Sequence, residues 1–337
     1  MQQVHIARAP VRVDPAGGGT DAPPFCTDYG GRVVNFGVAL YIHARLAVRN
    51  DDPTVTITSR DLGVTIESPN VQALEINGEL DLLKGIARRM DPPWGFHLTV
   101  ESDVPPGSGL GSSGAASVAC VGAFDQASGI DRSQVEAAEL ANAVEREDLG
   151  MPGGSQDSYG AALGGMNLIT YHRDGKTTAH SLAVPDAMRH ELNRRSVLVY
   201  TGEVHLSGSI HHDIKESYAL ADSPTVDAMK HLARVAASAA EALEAGETDR
   251  FGACLAENWV HHKRLHPSCT SARLEAFYDA ARAFVVGGKT CGAGGGGCIL
   301  FLAREGQRHD LRETCIGLGG IPYPFQIAPE GLVRWSV

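Results

Sequence analysis

Four short stretches, residues 17–19, 107–114, 153–165 and 287–297, hold 19 of the chain's 39 glycines. Glycine is about 12% of the 337 residues, against an ordinary share near ~7%. No G-X-Y period runs through the stretches, and 43% of the chain is hydrophobic, so collagen and linker readings fail. Glycine gathered between apolar segments marks backbone that turns with positive φ or approaches something closely.

The second stretch is the most informative. Residues 96–103 (FHLTVESD) alternate, with Phe96, Leu98 and Val100 on one face, and predict a half-buried strand. After Pro105 and Pro106 come Gly107, Ser108, Gly109, Leu110, Gly111, Ser112, Ser113 and Gly114, and residues 114–128 predict a small-residue helix. A glycine loop between strand and helix turns successive N–H groups into one concavity, and the helix adds its positive end. That is a phosphate cradle. Ser112 and Ser113 stand where a hydroxyl caps a helix or ligates Mg²⁺. Residues 109–114 also match GxGxxG, but the preceding strand alternates and lies a hundred residues into the chain. The Walker pattern fails for want of a lysine. A plain turn with two capping serines is the bland alternative.

Strands are predicted at 4–13 (interrupted by Pro10), 32–48, 54–58, 166–171, 196–201 and 298–303, with a short one at the C-terminus. Helices are predicted at 133–149, with Ser133 and Glu136 as a capping box, then at 208–221, 225–246, 248–263, 271–286 and 307–318. Strands come first and helices later, an α+β order. The polar segment around Pro185 is the expected junction of two domains, 1–185 and 186–337.

The net charge of −11, with no long basic stripe, argues against nucleic acid as partner. Seven scattered cysteines without CxxC suggest reduced thiols in a cytoplasmic protein. The N-terminus lacks a signal-peptide core, and no run approaches a membrane span.

The segment PPGSGLGSSGAA resembles the second motif of the GHMP kinases, the galactokinase, homoserine, mevalonate and phosphomevalonate kinase group. Residues 9–21 (APVRVDPAGGGTD) resemble that family's first motif, and residues 289–297 (KTCGAGGGG) its third. The three occur in family order. AGGGTD is similar to the heptose 7-phosphate kinases, while DAPP and the following GGRVVN also resemble the fucokinase domain. Residues 145–165 fit the same branch.

The resemblance implies a two-domain α+β fold, with an N-terminal domain like ribosomal protein S5 domain 2 and a ferredoxin-like C-terminal domain. It implies phosphoryl transfer from ATP to a sugar hydroxyl, probing first the anomeric C1 hydroxyl of a heptose 7-phosphate for nucleotide-sugar synthesis. Pro106 to Ser113 would hold the ATP phosphates. Ser113 and Glu145, hard oxygen donors, would hold Mg²⁺. Asp157 would orient the acceptor hydroxyl and take its proton, with Arg12 beside it. Gly18, Gly19, Thr20 and Asp21 would border the sugar, and Gly294 and Gly295 would form the floor. Without the resemblance, Asp157 reads as a turn residue and Arg12 as a surface charge.

Three features stand apart. His262 and His266, spaced i,i+4, could ligate zinc, but no HExxH or cysteine pair accompanies them. Lys263 is a weak candidate for substrate contact. Tyr200-Thr201-Gly202 resembles the branch's TG motif, and His205 stands where heptose-phosphate kinases are expected to carry arginine. The alternatives are L-fucose or another small alcohol as acceptor, a catalytically silent ATP- or sugar-binding regulator, and a dinucleotide oxidoreductase. The oligomeric state is open, a homodimer among the options.

Overall fold

The computed structural model describes residues 3–203, 207–219 and 224–337. Among these, two sheets organise the chain. The first takes β1 (Val4–Ala16), β2 (Gly31–Arg49), β3 (Val55–Ser59), β4 (Val64–Ser68), β5 (Gly95–Ser102), β6 (Met166–Tyr171) and β7 (Thr177–Ser181). The second takes β8 (Ser196–Tyr200), β9 (Val285–Thr290), β10 (Cys298–Ala303) and β11 (Ile321–Tyr323). The last strand, β12 (Val333–Ser336), returns to pair with β1.

The first sheet runs β12-β1-β2-β5-β3-β4, with β6 pairing the other half of β2 and β7 beyond it. Only β3 and β5 pair in parallel. β2 can serve three neighbours because its β-branched run is 19 residues long. β1 does not stop at Pro10. The register shifts between Pro10 and Val11, so a bulge absorbs the missing N–H and the strand carries on to Ala16. That continuation brings Arg12 and Asp14 to the interior.

The second sheet runs β11-β8-β10-β9, every pair antiparallel. With helices between β8 and β9 and between β10 and β11, this is the 4-1-3-2 order of a ferredoxin-like unit.

The helices are α1 (Phe25–Tyr29), α2 (Asp81–Met90), α3 (Ser112–Ser128), α4 (Gln134–Ala143), α5 (Gln156–Leu163), α6 (Asp186–Arg195), α7 (Ser207–Tyr218), α8 (Pro224–Glu244), α9 (Thr248–His262), α10 (Ala272–Ala281) and α11 (Arg308–Gly317). α3 is apolar all round because it is enclosed, with Ala115, Ala119 and Ala123 fully buried. α8 crosses onto β1 and β2, and Phe251 stacks on Phe36 at 5.8 Å, so one core joins both halves.

Two expected helices change. Residues 271–286 end as helix at Ala281, and β9 begins at Val285. A side chain at Gly287 would meet the Gly252 carbonyl of α9 at 1.9 Å, so this strand needs glycine to lie against that helix. Residues 133–149 start with the predicted capping box, Ser133 and Glu136 each bonding the other's N–H. After Ala143, however, the helix widens into one π turn, Val144–Asp148, closed by Leu149 N–H to Val144 C=O at 3.0 Å. Sequence reading also missed β4, α2, β7 and α6, which are short or largely polar. All seven cysteines are free and buried. No helix among the described residues is long and apolar enough to cross a membrane.

Candidate active site

The bulged end of β1, the loop 105–111 and α5 meet at one ion pair. Arg12 donates from Nε to Asp157 Oδ1 at 2.8 Å, and Nη2 lies 2.6 Å from the same oxygen. Its Nη1 donates to the Gly109 carbonyl at 2.6 Å. Burial works against the Arg12 charge, but Asp157 and Asp14 outweigh it and hold the pKa above its ordinary value. With Oδ1 occupied twice, Asp157 Oδ2 makes no hydrogen bond among the described residues and Asp157 lines the cleft.

That cleft has a volume of about 700 Å³. Of the residues singled out from sequence, it brings together Arg12, Gly19, Asp21, Pro106, Gly107, Gly109, Gly111, Ser112, Ser113, Glu145, Asp157 and Gly294. Gly18, Thr20, Ser108, Leu110 and Gly295 lie behind the wall. Thr20 is fully buried, its hydroxyl bonded to the Gly17 and Arg32 backbone. Leu110 is core, the Gly295 N–H bonds Cys269 C=O, and the Ser108 carbonyl accepts from Cys298 N–H. These residues shape the loops rather than face the cleft.

The loop 105–111 rests on the third glycine segment. Gly109 has φ +77°, and a side chain there would lie 2.7 Å from the Cys291 carbonyl. Ser112 and Ser113 open α3, whose free N–H groups point toward the cleft end of the loop.

Glu145 projects from the π turn and is almost fully buried. Its nearest cation is Arg146, 3.6 Å away. Burial raises its pKa, with Arg146 opposing and Asp157 adding. A buried carboxylate so weakly compensated, beside a helix-start hydroxyl at Ser113, suits a hard cation that keeps water and phosphate oxygens as its other ligands. No group of three His, Cys, Asp or Glu among the described residues could hold a metal unaided.

Asp21 closes the other end. Its Oδ1 accepts from Gly19 N–H at 3.1 Å and Gln156 Nε2 at 3.4 Å, and Oδ2 from Gln156 N–H at 3.2 Å. Burial raises its pKa despite these donors. A side chain on Gly154 would sit 1.7 Å from Oδ2. Gly154→Ala therefore displaces Asp21, and kcat/KM for the acceptor should fall about tenfold or more. Steady-state kinetics on the variant checks this; wild-type kcat/KM would show Asp21 to be uninvolved.

Sequence reading passed over a buried pair. Lys289 Nζ donates to Asp14 Oδ2 at 2.8 Å, both side chains no more than 1% exposed. Asp14 Oδ1 accepts from Gly292 N–H at 2.8 Å. The pair ties β1 to the third glycine segment. Its sequence signal was a lone lysine and a lone aspartate inside runs otherwise fit for burial.

His262 bonds Ala293 C=O through Nε2 at 3.0 Å, and His266 pairs with Ser268, so neither is left with two open nitrogens. Burial, with Lys289 adding, pushes the His262 pKa down from 6.5 to about 4. The unfolded chain therefore takes up the proton first as pH falls. His262 contributes no pH-dependent loss above pH 6.5, and roughly 3 kcal/mol of stability goes between there and pH 4. Urea unfolding at pH 7 and 4.5 should show a smaller acid loss in His262→Gln than in wild type. Lys263 is paired with Glu275 at 3.0 Å, outside the cleft lining. Thr201 holds the Gly297 carbonyl at 2.9 Å, and His205 lies outside the described residues.

The GHMP kinases N terminal domain matches residues 81–165, and the GHMP kinases C terminal domain residues 239–315. A D-glycero-alpha-D-manno-heptose 7-phosphate kinase of Campylobacter jejuni is 31% identical over 336 residues, 98% of each chain. The bifunctional fucokinase/GDP-fucose pyrophosphorylase of Arabidopsis thaliana is 28% identical over 90% of this chain, which spans 30% of that longer protein. A solved D-glycero-D-manno-heptose 1-phosphate kinase from Bacteroides thetaiotaomicron superposes with a TM-score of 0.82 at 28% identity, covering 98% of both chains. Lactococcus lactis galactokinase, at 18% identity and a TM-score of 0.79 over 98% of this chain and 95% of its own, shares the fold. Enzymes of this family use ATP as phosphate donor, generally with Mg²⁺. The chain is thus a member of the GHMP kinases, with their two-domain fold, in the branch of the heptose 7-phosphate kinases and fucokinases, and it is a phosphotransferase with an alcohol group as acceptor.

Proposed function

We propose that the protein transfers the γ-phosphoryl group of ATP to the anomeric C1 hydroxyl of a heptose 7-phosphate, a step that supplies nucleotide-sugar synthesis in the cytoplasm. The observation that carries this reading is Asp157, with one carboxylate oxygen locked by Arg12 and the other open to the cleft beside the N-terminus of α3.

Loop 105–111 and the first turn of α3 fit the phosphates of ATP. The end lined by Leu62, Ile76, Leu80 and Leu83 fits the flat face of its base. Glu145 and Ser113 would hold Mg²⁺, which screens the phosphate charge when bound. Asp157 Oδ2 accepts the hydrogen bond of the acceptor hydroxyl, orients its lone pair, and takes the proton late, because the transition state is loose. Arg12 fixes the carboxylate and places positive charge where charge moves between oxygens. Asp21 offers its remaining lone pairs to sugar hydroxyls.

One observation favours a second acceptor, an unphosphorylated sugar such as L-fucose. Among the described cleft residues, both guanidinium groups are engaged: Arg12 by Asp157, and Arg146 by the Met151 and Gly154 carbonyls. A sugar phosphate needs a further cation.

Incubating the protein with ATP, Mg²⁺ and single sugars separates these readings by ADP release. Turnover with heptose 7-phosphate above free hexoses and L-fucose is the expected result. Turnover with L-fucose alone selects the second reading, and firm ATP binding without ADP release from any sugar rejects both.

A further inference from the structure

Helix α7 carries one histidine that the chemistry above does not use. Its inward stripe is Ile210, His211 and Ile214, with Ile210 and Ile214 buried. The next residue, His212, points outward to Glu216 at 3.3 Å. The spacing alone suggests a core histidine. A core histidine has its ring nitrogens satisfied, however, and His211 makes no hydrogen bond among the described residues. It lines the cleft instead, with Ile214 and Leu265 beside it.

The groups it faces are those of the reacting end. From α5 it feels Asp157, from the π turn Arg146, and from β1 Arg12, while His262 on α9 lies near enough to interact. Burial lowers its pKa, with Asp157 opposing and the two arginines adding, so the ring is neutral near pH 7. A neutral imidazole offers one donor and one acceptor. A sugar offers the complementary pair at any two neighbouring hydroxyls.

We propose that His211 is a sugar-binding residue that hydrogen-bonds a hydroxyl adjacent to the acceptor oxygen, closing the sugar site from α7 opposite Asp157. The inference rests on the reading of the Asp157 end of the cleft as the sugar site. It adds a specificity determinant from the C-terminal half, where the other groups around the acceptor come from the N-terminal half. The arrangement has a structural anchor. α7 is held against α1, the helix that follows Asp21, by Tyr218 Oη donating to Asp28 Oδ2.

The test is steady-state kinetics of wild type, His211→Ala and His211→Gln with the preferred sugar, ATP and sugar varied separately. In His211→Ala the sugar KM should rise about tenfold, the cost of one well-made hydrogen bond, while the ATP KM stays within about twofold. His211→Gln keeps a donor and an acceptor and should recover at least half of the logarithmic loss. An unchanged sugar KM in His211→Ala overturns the proposal. So does a parallel rise in both KM values that His211→Gln shares, because that marks a packing role. If wild type turns over no sugar, the sugar-kinase reading fails first, and the His211 variants are not needed to show it.

Discussion

Asp157→Asn should retain ATP binding and lose about 10²- to 10⁴-fold in kcat. The substitution keeps the shape of the side chain, so Arg12 can still be held by the amide oxygen. It removes the negative charge and the basic oxygen that faces the cleft. The acceptor hydroxyl then has no group to take its proton, and Arg12 keeps a positive charge that Asp157 had balanced at 2.6 Å. Isothermal titration with a non-hydrolysable ATP analogue and single-turnover measurement of ADP together check the prediction. Loss of both binding and turnover would indicate damage to the loop at Gly109, which Arg12 also holds. Unchanged turnover would remove Asp157 from the reaction.

The second large effect concerns stability. Lys289→Met or Asp14→Asn should each cost about 3–5 kcal/mol, because each leaves its partner charged, dry and without its counterion. Combining them should cost less than the sum of the two, since no buried charge is then left over. Urea unfolding of the three variants at pH 7 measures this coupling. Strict additivity would show the 2.8 Å contact to be energetically idle. A kinetic consequence follows from Gly292, whose N–H bonds the same carboxylate. Freed from Asp14, the third glycine segment loses its register against Gly109, so the folded fraction of Asp14→Asn should also show a weaker ATP KM.

Much of the site could be read from the residues because it is built from local devices. A strand, a glycine loop and a helix start are consecutive in sequence, and the loop 105–111 with Ser112 and Ser113 needs little more than its own composition to form a cradle. The capping box at Ser133 is equally local. Where a feature depends on distant neighbours, the pattern misled. Residues 282–290 look helical until α9 is packed beside them, when Gly287 proves to be strand. The π turn that aims Glu145 leaves no mark on the apolar periodicity, since one extra residue per turn shifts a face only where tertiary contacts reward it. Thr20 sits in a substrate-facing motif, yet its hydroxyl serves the backbone of Arg32.

By itself, the sequence determined the family, the α+β order and the positions of three glycine segments, because turns, caps and alternation are set by the steric and hydrogen-bonding preferences of neighbouring residues. The tertiary structure alone decided which groups meet. It carried β1 past Pro10 so that Arg12 reaches Asp157, paired Asp14 with Lys289 across 275 positions, and turned His211 into the cleft. Those outcomes turn on whether a buried charge finds its counterion or a ring nitrogen finds a partner, and the elements that supply the answer are far apart in the chain.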